Sequence, residues 1–190
     1  MVDQSIPQNP EIQKLVKHWR TPFEKYVKAV IGEAIDDFDQ TLCQRGECTI
    51  GNLITDAMLK SRNESDVNAA LINAGGIRAG LIKGNITRES INTILPFENF
   101  LVDIEMTGQN VTDMLESVVS RWKNKLSGKR VTSFIQVSGI RFKYDSSRMF
   151  YDRVLEVQIR NPKTEEFERI DLGKTYKIVT VNFLSDGGDG

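Results

Sequence analysis

The chain has 190 residues, 39% of them hydrophobic, and a formal net charge of −1. That is enough for one domain, or one domain with an extension, around a true core. With no basic run longer than two residues the sequence points away from nucleic acid. No apolar stretch approaches the roughly 20 residues of a membrane helix, and MVDQSIPQNP lacks the basic-then-apolar order of a signal peptide.

The first predicted element follows Pro10. Ile12, Leu15, Val16, Trp19, Phe23 and Val27 recur at helical spacing, so residues 10–29 read as one amphipathic helix, with His18 among polar neighbours as a solvated or packing side chain rather than a ligand. A short strand is expected between Val30 and Phe38. Thr49 to Lys60 reads as a second helix with Ile50, Leu53, Ile54, Ala57 and Met58 on one face. Val67 to Ile72 is short and apolar, as a buried strand is. Thr87 is placed to cap a short helix reaching Ile94, and Phe100 to Met106 reads as a strand. Val111, Met114, Leu115, Val118, Val119 and Trp122 mark a third long helix. The period then falls to two, giving strands at Phe134 to Tyr144, Arg153 to Arg160 and Thr175 to Phe183. Helices and strands mix without a regular βαβ rhythm. The expected fold is α/β, a layered α-β sandwich with mixed sheets, preceded by the N-terminal helix.

Cys43 and Cys48, in CQRGEC, are the only cysteines. A disulfide there closes a small loop and adds roughly 2 kcal/mol through chain entropy. Two buried free thiols, or half of a metal site, are the alternatives. A Cys-only zinc site takes four ligands, and the chain offers one histidine and no further cysteine. Three glycosylation triplets begin at Asn63, Asn85 and Asn110. With the cysteine pair they favour an oxidising, extracellular setting. Extracellular location without a signal peptide leads to the expectation that the chain is a piece of a longer protein.

Three stretches can hold chemistry. In LINAGGIRAG an apolar strand runs into Asn73, Gly75, Gly76 and Arg78. Ligands of α/β folds bind where strand ends splay. Glycines admit a close backbone, Asn73 offers an amide, and Arg78 offers a planar fork suited to carboxylate or phosphate. A plain turn with a solvated arginine has the same composition. In ILPFENF, Phe97 follows Pro96 at a helix end, where a core plug is the ordinary reading. The third stretch, NFLSDGGDG, carries Phe183 and Asp189 at the ends of a glycine turn. Two phenylalanines on separate loops can sandwich a flat base, and a carboxylate can accept from ribose hydroxyls.

GNLITDAML, INAGGIR, LPF and NFLSDGGDG occur in this order. Together they resemble the C-terminal domain of the 5′-nucleotidase family, which includes animal ecto-5′-nucleotidases, blood-feeder salivary apyrases and bacterial UDP-sugar hydrolases. The likeness covers nearly the whole chain. It implies residues 1–29 as an N-terminal extension and inter-domain linker helix, and 30–190 as a nucleoside-binding domain, truncated at its C-terminus. It implies Asn73 and Arg78 as substrate contacts, with Gly75 and Gly76 lining the site. Phe97 and Phe183 would hold the base, and Asp189 the ribose. Gln44 stands where the family often has an arginine, which leaves Arg45 as an open substitute; Ala74 replaces a common glycine.

The same likeness implies a preceding metallophosphoesterase domain with two divalent, zinc-type metal ions, which hydrolyses nucleoside phosphates such as AMP, ATP or ADP. His18 being the only histidine, no cofactor is expected on this chain itself. The expected partners are a nucleotide or nucleoside, adenosine above all, and that metal domain; a homodimer is left open. The alternative is a stand-alone, non-catalytic nucleotide-binding or interaction module.

Overall fold

The computed structural model describes residues 7–62, 66–121 and 128–190. In chain order its elements are α1 (Pro10–Val27), β1 (Val30–Ala34), α2 (Thr49–Lys60), β2 (Ala69–Asn73), β3 (Gly84–Thr87), α3 (Arg88–Ile94), β4 (Leu101–Thr107) and α4 (Gly108–Ser120). There follow β5 (Ile135–Ser138), β6 (Ile140–Tyr144), β7 (Val154–Arg160), β8 (Phe167–Arg169), β9 (Thr175–Val181) and α5 (Asn182–Ser185). A 3₁₀ turn, Ala74–Gly76, sits directly after β2.

The central sheet has the order β4-β9-β2-β5, with β2 parallel to β9 and the other pairs antiparallel. All five residues of β2 are buried, as expected of a strand covered on both faces. Alternation sends Ile72 toward Ile54 and Met58 of α2, and Leu71 toward Met114 and Val118 of α4. Helix, sheet and helix thus form the layers, an α/β sandwich with mixed sheets. β6, β7 and β8 make a separate antiparallel sheet that packs on α4, and β1 pairs with β3.

Local chemistry explains several boundaries. The Thr87 side chain accepts from the Ser90 backbone at 3.1 Å, while Ser90 Oγ accepts from the Thr87 backbone, so α3 starts with a reciprocal cap. The expected single strand from Phe134 to Tyr144 is in fact two, broken at Gly139. Gly139 has φ 76°, and a Cβ there would stand 2.3 Å from the Asn68 carbonyl oxygen, so the chain can change sheets only with glycine at this point. The last strand stops at Val181, and Phe183 lies on the short helix α5 rather than at a strand end. The first strand ends at Ala34, with Phe38 bridging Leu81 alone. On α2 the buried residues are Ile50, Gly51, Thr55 and Met58, while Leu53 and Ala57 face outward. Trp122, expected at the end of the third helix, lies outside the described residues.

Helix α1 begins with Pro10 in its first turn, and the Asn9 side chain accepts from the Glu11 and Ile12 backbones. No residue of α1 is buried. It meets the rest of the chain through Arg20 to Glu89 at 2.7 Å and through the Arg88 guanidinium, 4.5 Å over the Tyr26 ring.

Candidate functional site

The C-terminal end of β2 delivers Asn73 to a cleft of about 460 Å³. Its inner wall is Asn73, Gly75, Gly76 and Asp189, and Arg78, Phe97, Asn99 and Phe183 form its rim. A longer concavity of about 550 Å³ runs along α1 and is lined only by Gln8, Asn9 and the helix itself. The cleft is the better candidate, because separate loops bring convergent polar groups to it.

At Gly76 the glycine has a geometric reason. A Cβ on Gly75 would meet Asn73 Nδ2, Asp189 Oδ2 and Ser133 Oγ, each at 3.4 Å, and one on Gly76 would come within 3.0 Å of Asn73 Oδ1. The contact at Gly76 is tighter than an ordinary one, while a Cβ on Gly75 would only touch its neighbours. Asn73 Nδ2 donates to Asp189 Oδ2 at 2.7 Å, and Thr132 Oγ1 donates to Asp189 Oδ1 at 3.0 Å. The Thr132 backbone N–H also donates to the Asp189 carbonyl at 3.2 Å. Asp189 sits at φ 59°, in the left-handed region that aspartate tolerates better than most residues. Asn73 is 5% exposed, and its Oδ1 is buried with no partner among the described residues. A buried carbonyl of this kind ordinarily has a donor, and a ligand N–H or O–H can supply it.

The rim differs in character. Phe97 is 56% exposed and Phe183 41% exposed, so neither plugs the core. A Cβ on Gly188 would stand 2.4 Å from the Phe183 ring, so glycine there gives the ring its place. The Arg78 backbone N–H donates to Ile94, its Nη1 donates to the Gly75 carbonyl at 3.2 Å, and its guanidinium lies 5.8 Å from the Phe97 ring centre. No carboxylate pairs with Arg78 among the described residues.

Cys43 and Cys48 form a disulfide. Behind its loop, Gln136 is fully buried in β5. Its Nε2 donates to the Cys43 and Gly46 carbonyls at 2.9 and 2.8 Å, and its Oε1 accepts from the Cys48 N–H at 3.1 Å. A Cβ on Gly51 would stand 2.5 Å from the Gln136 side chain, which gives a packing reason for glycine in GNLITDAML. The loop turns Gln44 inward: its Nε2 lies 3.4 Å from Ser133 Oγ, which itself accepts from the Gly75 N–H at 2.8 Å. Arg45 is exposed and does not line the cleft.

Sequence reasoning missed Asn99, Thr132, Ser133 and the role of Gln136. Only Gln136 had a signal, being a polar residue where period two places core. Of the glycosylation triplets, Asn85 is exposed on β3 and Asn110 is half-buried in the first turn of α4, while Asn63 lies outside the described residues. Among the described residues no three His, Cys, Asp or Glu side chains gather as a metal set. His18 is exposed on α1, and the two thiols are consumed in the disulfide. The residues here do not fit the pair of divalent ions.

Fold and cleft together define an α/β domain with a polar cleft at a strand end. The chain belongs to the 5′-nucleotidase C-terminal domain family, which matches residues 30–190. It is 32% identical to an apyrase of Tabanus yao over 198 residues and 32% identical to a 5′-nucleotidase of Bos taurus over 204, in both cases across 100% of this chain. It spans only about 35% of the length of each. The crystal structure of a 5′-nucleotidase precursor from Thermus thermophilus superposes with a TM-score of 0.83 at 35% identity, covering 98% of this chain and 36% of that one. The fold is shared with the NAD nucleotidase of Haemophilus influenzae, at a TM-score of 0.73 and 24% identity, over 99% of this chain and 35% of that one.

Proposed function

We propose that this chain is the nucleoside-gripping part of an extracellular 5′-nucleotidase or apyrase-type phosphohydrolase. Residues 30–190 form the binding domain and α1 leads to it from a metal-bearing domain. Phe97 and Phe183 stack on the two faces of a base, and Asp189 accepts from the ribose hydroxyls. Asn73 Oδ1 accepts from the ligand, and Arg78 faces its polar or charged part. The observation that carries this reading is the convergence, in one cleft, of two exposed phenylalanines, one from a turn and one from α5, with a carboxylate held by two donors. Stacking of an aromatic ring on a base is worth roughly 1–3 kcal/mol. The extracellular setting rests on the disulfide. The phosphohydrolase activity rests on the named relatives and belongs with the preceding domain, where two divalent ions would activate water and hold the leaving oxygen.

Calorimetric titration of the chain with adenosine tests the reading. Binding is expected at weak affinity, since no metal-held phosphate contributes, and Phe183→Ala should weaken it without lowering the melting temperature. If Phe183→Ala lowers the melting temperature by several degrees and leaves adenosine affinity unchanged, the stacking role is refuted.

A further inference from the structure

The segment Val131–Phe134 runs between the two loops that build the inner wall. The chain bends at Ser133, so neighbouring side chains reach different loops. Thr132 turns to the Asp189 loop, while Ser133 Oγ turns to the Gly75 N–H and the Phe134 carbonyl accepts from the Ala74 N–H at 2.8 Å. Thr132 bonds Asp189 twice, once to its main-chain carbonyl and once to its carboxylate. An ionised carboxylate has about four lone-pair directions. Asn73 occupies one on Oδ2 and Thr132 one on Oδ1, which among the described residues leaves one open on each oxygen. Two open acceptors on the two oxygens of one carboxylate suit two neighbouring hydroxyl donors, the pattern of a vicinal diol.

We propose that Thr132 is a positioning residue that sets selectivity for the ribose diol by fixing the rotation of the Asp189 carboxylate. This rests on the ribose role proposed above for Asp189. With Asn73 alone, the carboxylate pivots about a single hydrogen bond. With both donors its plane is set, and both hydroxyls can be engaged at once. Thr132 touches no ligand; it acts through Asp189.

The test is titration of the wild type, Thr132→Val and Thr132→Ser with adenosine and with 2′,3′-dideoxyadenosine, which lacks both hydroxyls. Thr132→Val keeps shape and removes the donor, so it should weaken adenosine by about three- to tenfold, the size of an ordinary lost hydrogen bond, because Thr132 acts only through Asp189. It should leave dideoxyadenosine unchanged, and Thr132→Ser, which keeps the hydroxyl, should restore wild-type selectivity. Melting curves check that all three fold. A general loosening of the loop would weaken both nucleosides alike in Thr132→Val, and that outcome overturns the proposal. So does a Thr132→Val that discriminates as well as a discriminating wild type, or a Thr132→Ser as weak as the valine variant. Failure of the parent reading looks different: the wild type itself then binds both nucleosides equally, and the proposal falls with it.

Discussion

The two walls of the cleft are built on opposite principles. The inner wall is polar, mostly buried and held by hydrogen bonds from three directions: the strand end at Asn73, the segment at Thr132 and Ser133, and the disulfide loop through Gln44. The rim is aromatic and exposed, with Phe97 and Phe183 each leaving over a third of their surface to water. A wall that must orient a ligand needs fixed donors and acceptors, and those are held best where water cannot compete. A wall that only stacks needs a face, and an exposed ring supplies one. The two walls should therefore respond differently to mutation.

The largest effect belongs behind the inner wall. Gln136→Leu leaves two carbonyls and one N–H of the disulfide loop without their partner, at about 1–3 kcal/mol for each buried group so orphaned. A melting temperature lowered by roughly ten degrees or more is expected, with adenosine binding lost along with the loop. A variant that melts like the wild type would show that the loop is held by the disulfide alone. Next comes Asn73→Ala, which removes one of the two donors on Asp189. It should cost about 1–3 kcal/mol of stability and weaken adenosine binding as well, so both melting and titration should move.

Asp189→Ala comes third. It should lower stability by about 1–3 kcal/mol, because the buried Asn73 amide loses its acceptor, and weaken adenosine by roughly 1.5–3 kcal/mol per charge-assisted hydrogen bond lost, a change read by calorimetry. If adenosine affinity holds while stability drops, Asp189 is a structural link between Asn73 and Thr132 and nothing more. Phe97→Ala should then move binding alone, by roughly 1–3 kcal/mol. A melting shift as large as that of Asn73→Ala would erase the distinction between the walls.

The smallest expected effect lies at the base of the disulfide loop. The Thr41 hydroxyl, and then its backbone N–H, hold the Asp39 carboxyl below the usual range. A carboxyl depressed in the folded state adds stability above its unfolded value and loses it as pH falls through its folded value. Asp39→Asn should thus narrow the gap in melting temperature between neutral and acid pH, slightly, because Asp39 is exposed. An unchanged gap would show that the carboxyl contributes nothing to the loop.

How much of this was legible beforehand differs from element to element. Helix α2, the buried run of β2 and the Thr87 cap follow from local rules: helical spacing, an unbroken apolar run between turn signals, and a hydroxyl placed before a helix. Asn73, Arg78, Phe97, Phe183 and Asp189 could be named from ordered motifs and the family likeness, and the chain brings all five to one cleft. Helices α1 and α4 show where such reading stops. Both are amphipathic by spacing, yet α4 buries Val111, Leu115 and Val118 while α1 buries nothing. Periodicity says that a helix has an apolar face, and does not say what covers it.

The sequence by itself determined which segments prefer helix or strand, because those preferences are settled by neighbours within a few residues. It also determined the residue types a nucleoside site would need. Tertiary structure alone decided that Gly139 moves the chain between sheets, that Gln136 seats the disulfide loop, and that Thr132 grips a carboxylate 57 positions away. Those outcomes depend on hydrogen bonds and close approaches between distant parts of the chain. A hydroxyl or an amide looks the same in the sequence whether it ends in water or against Asp189, and only the fold supplies the partner.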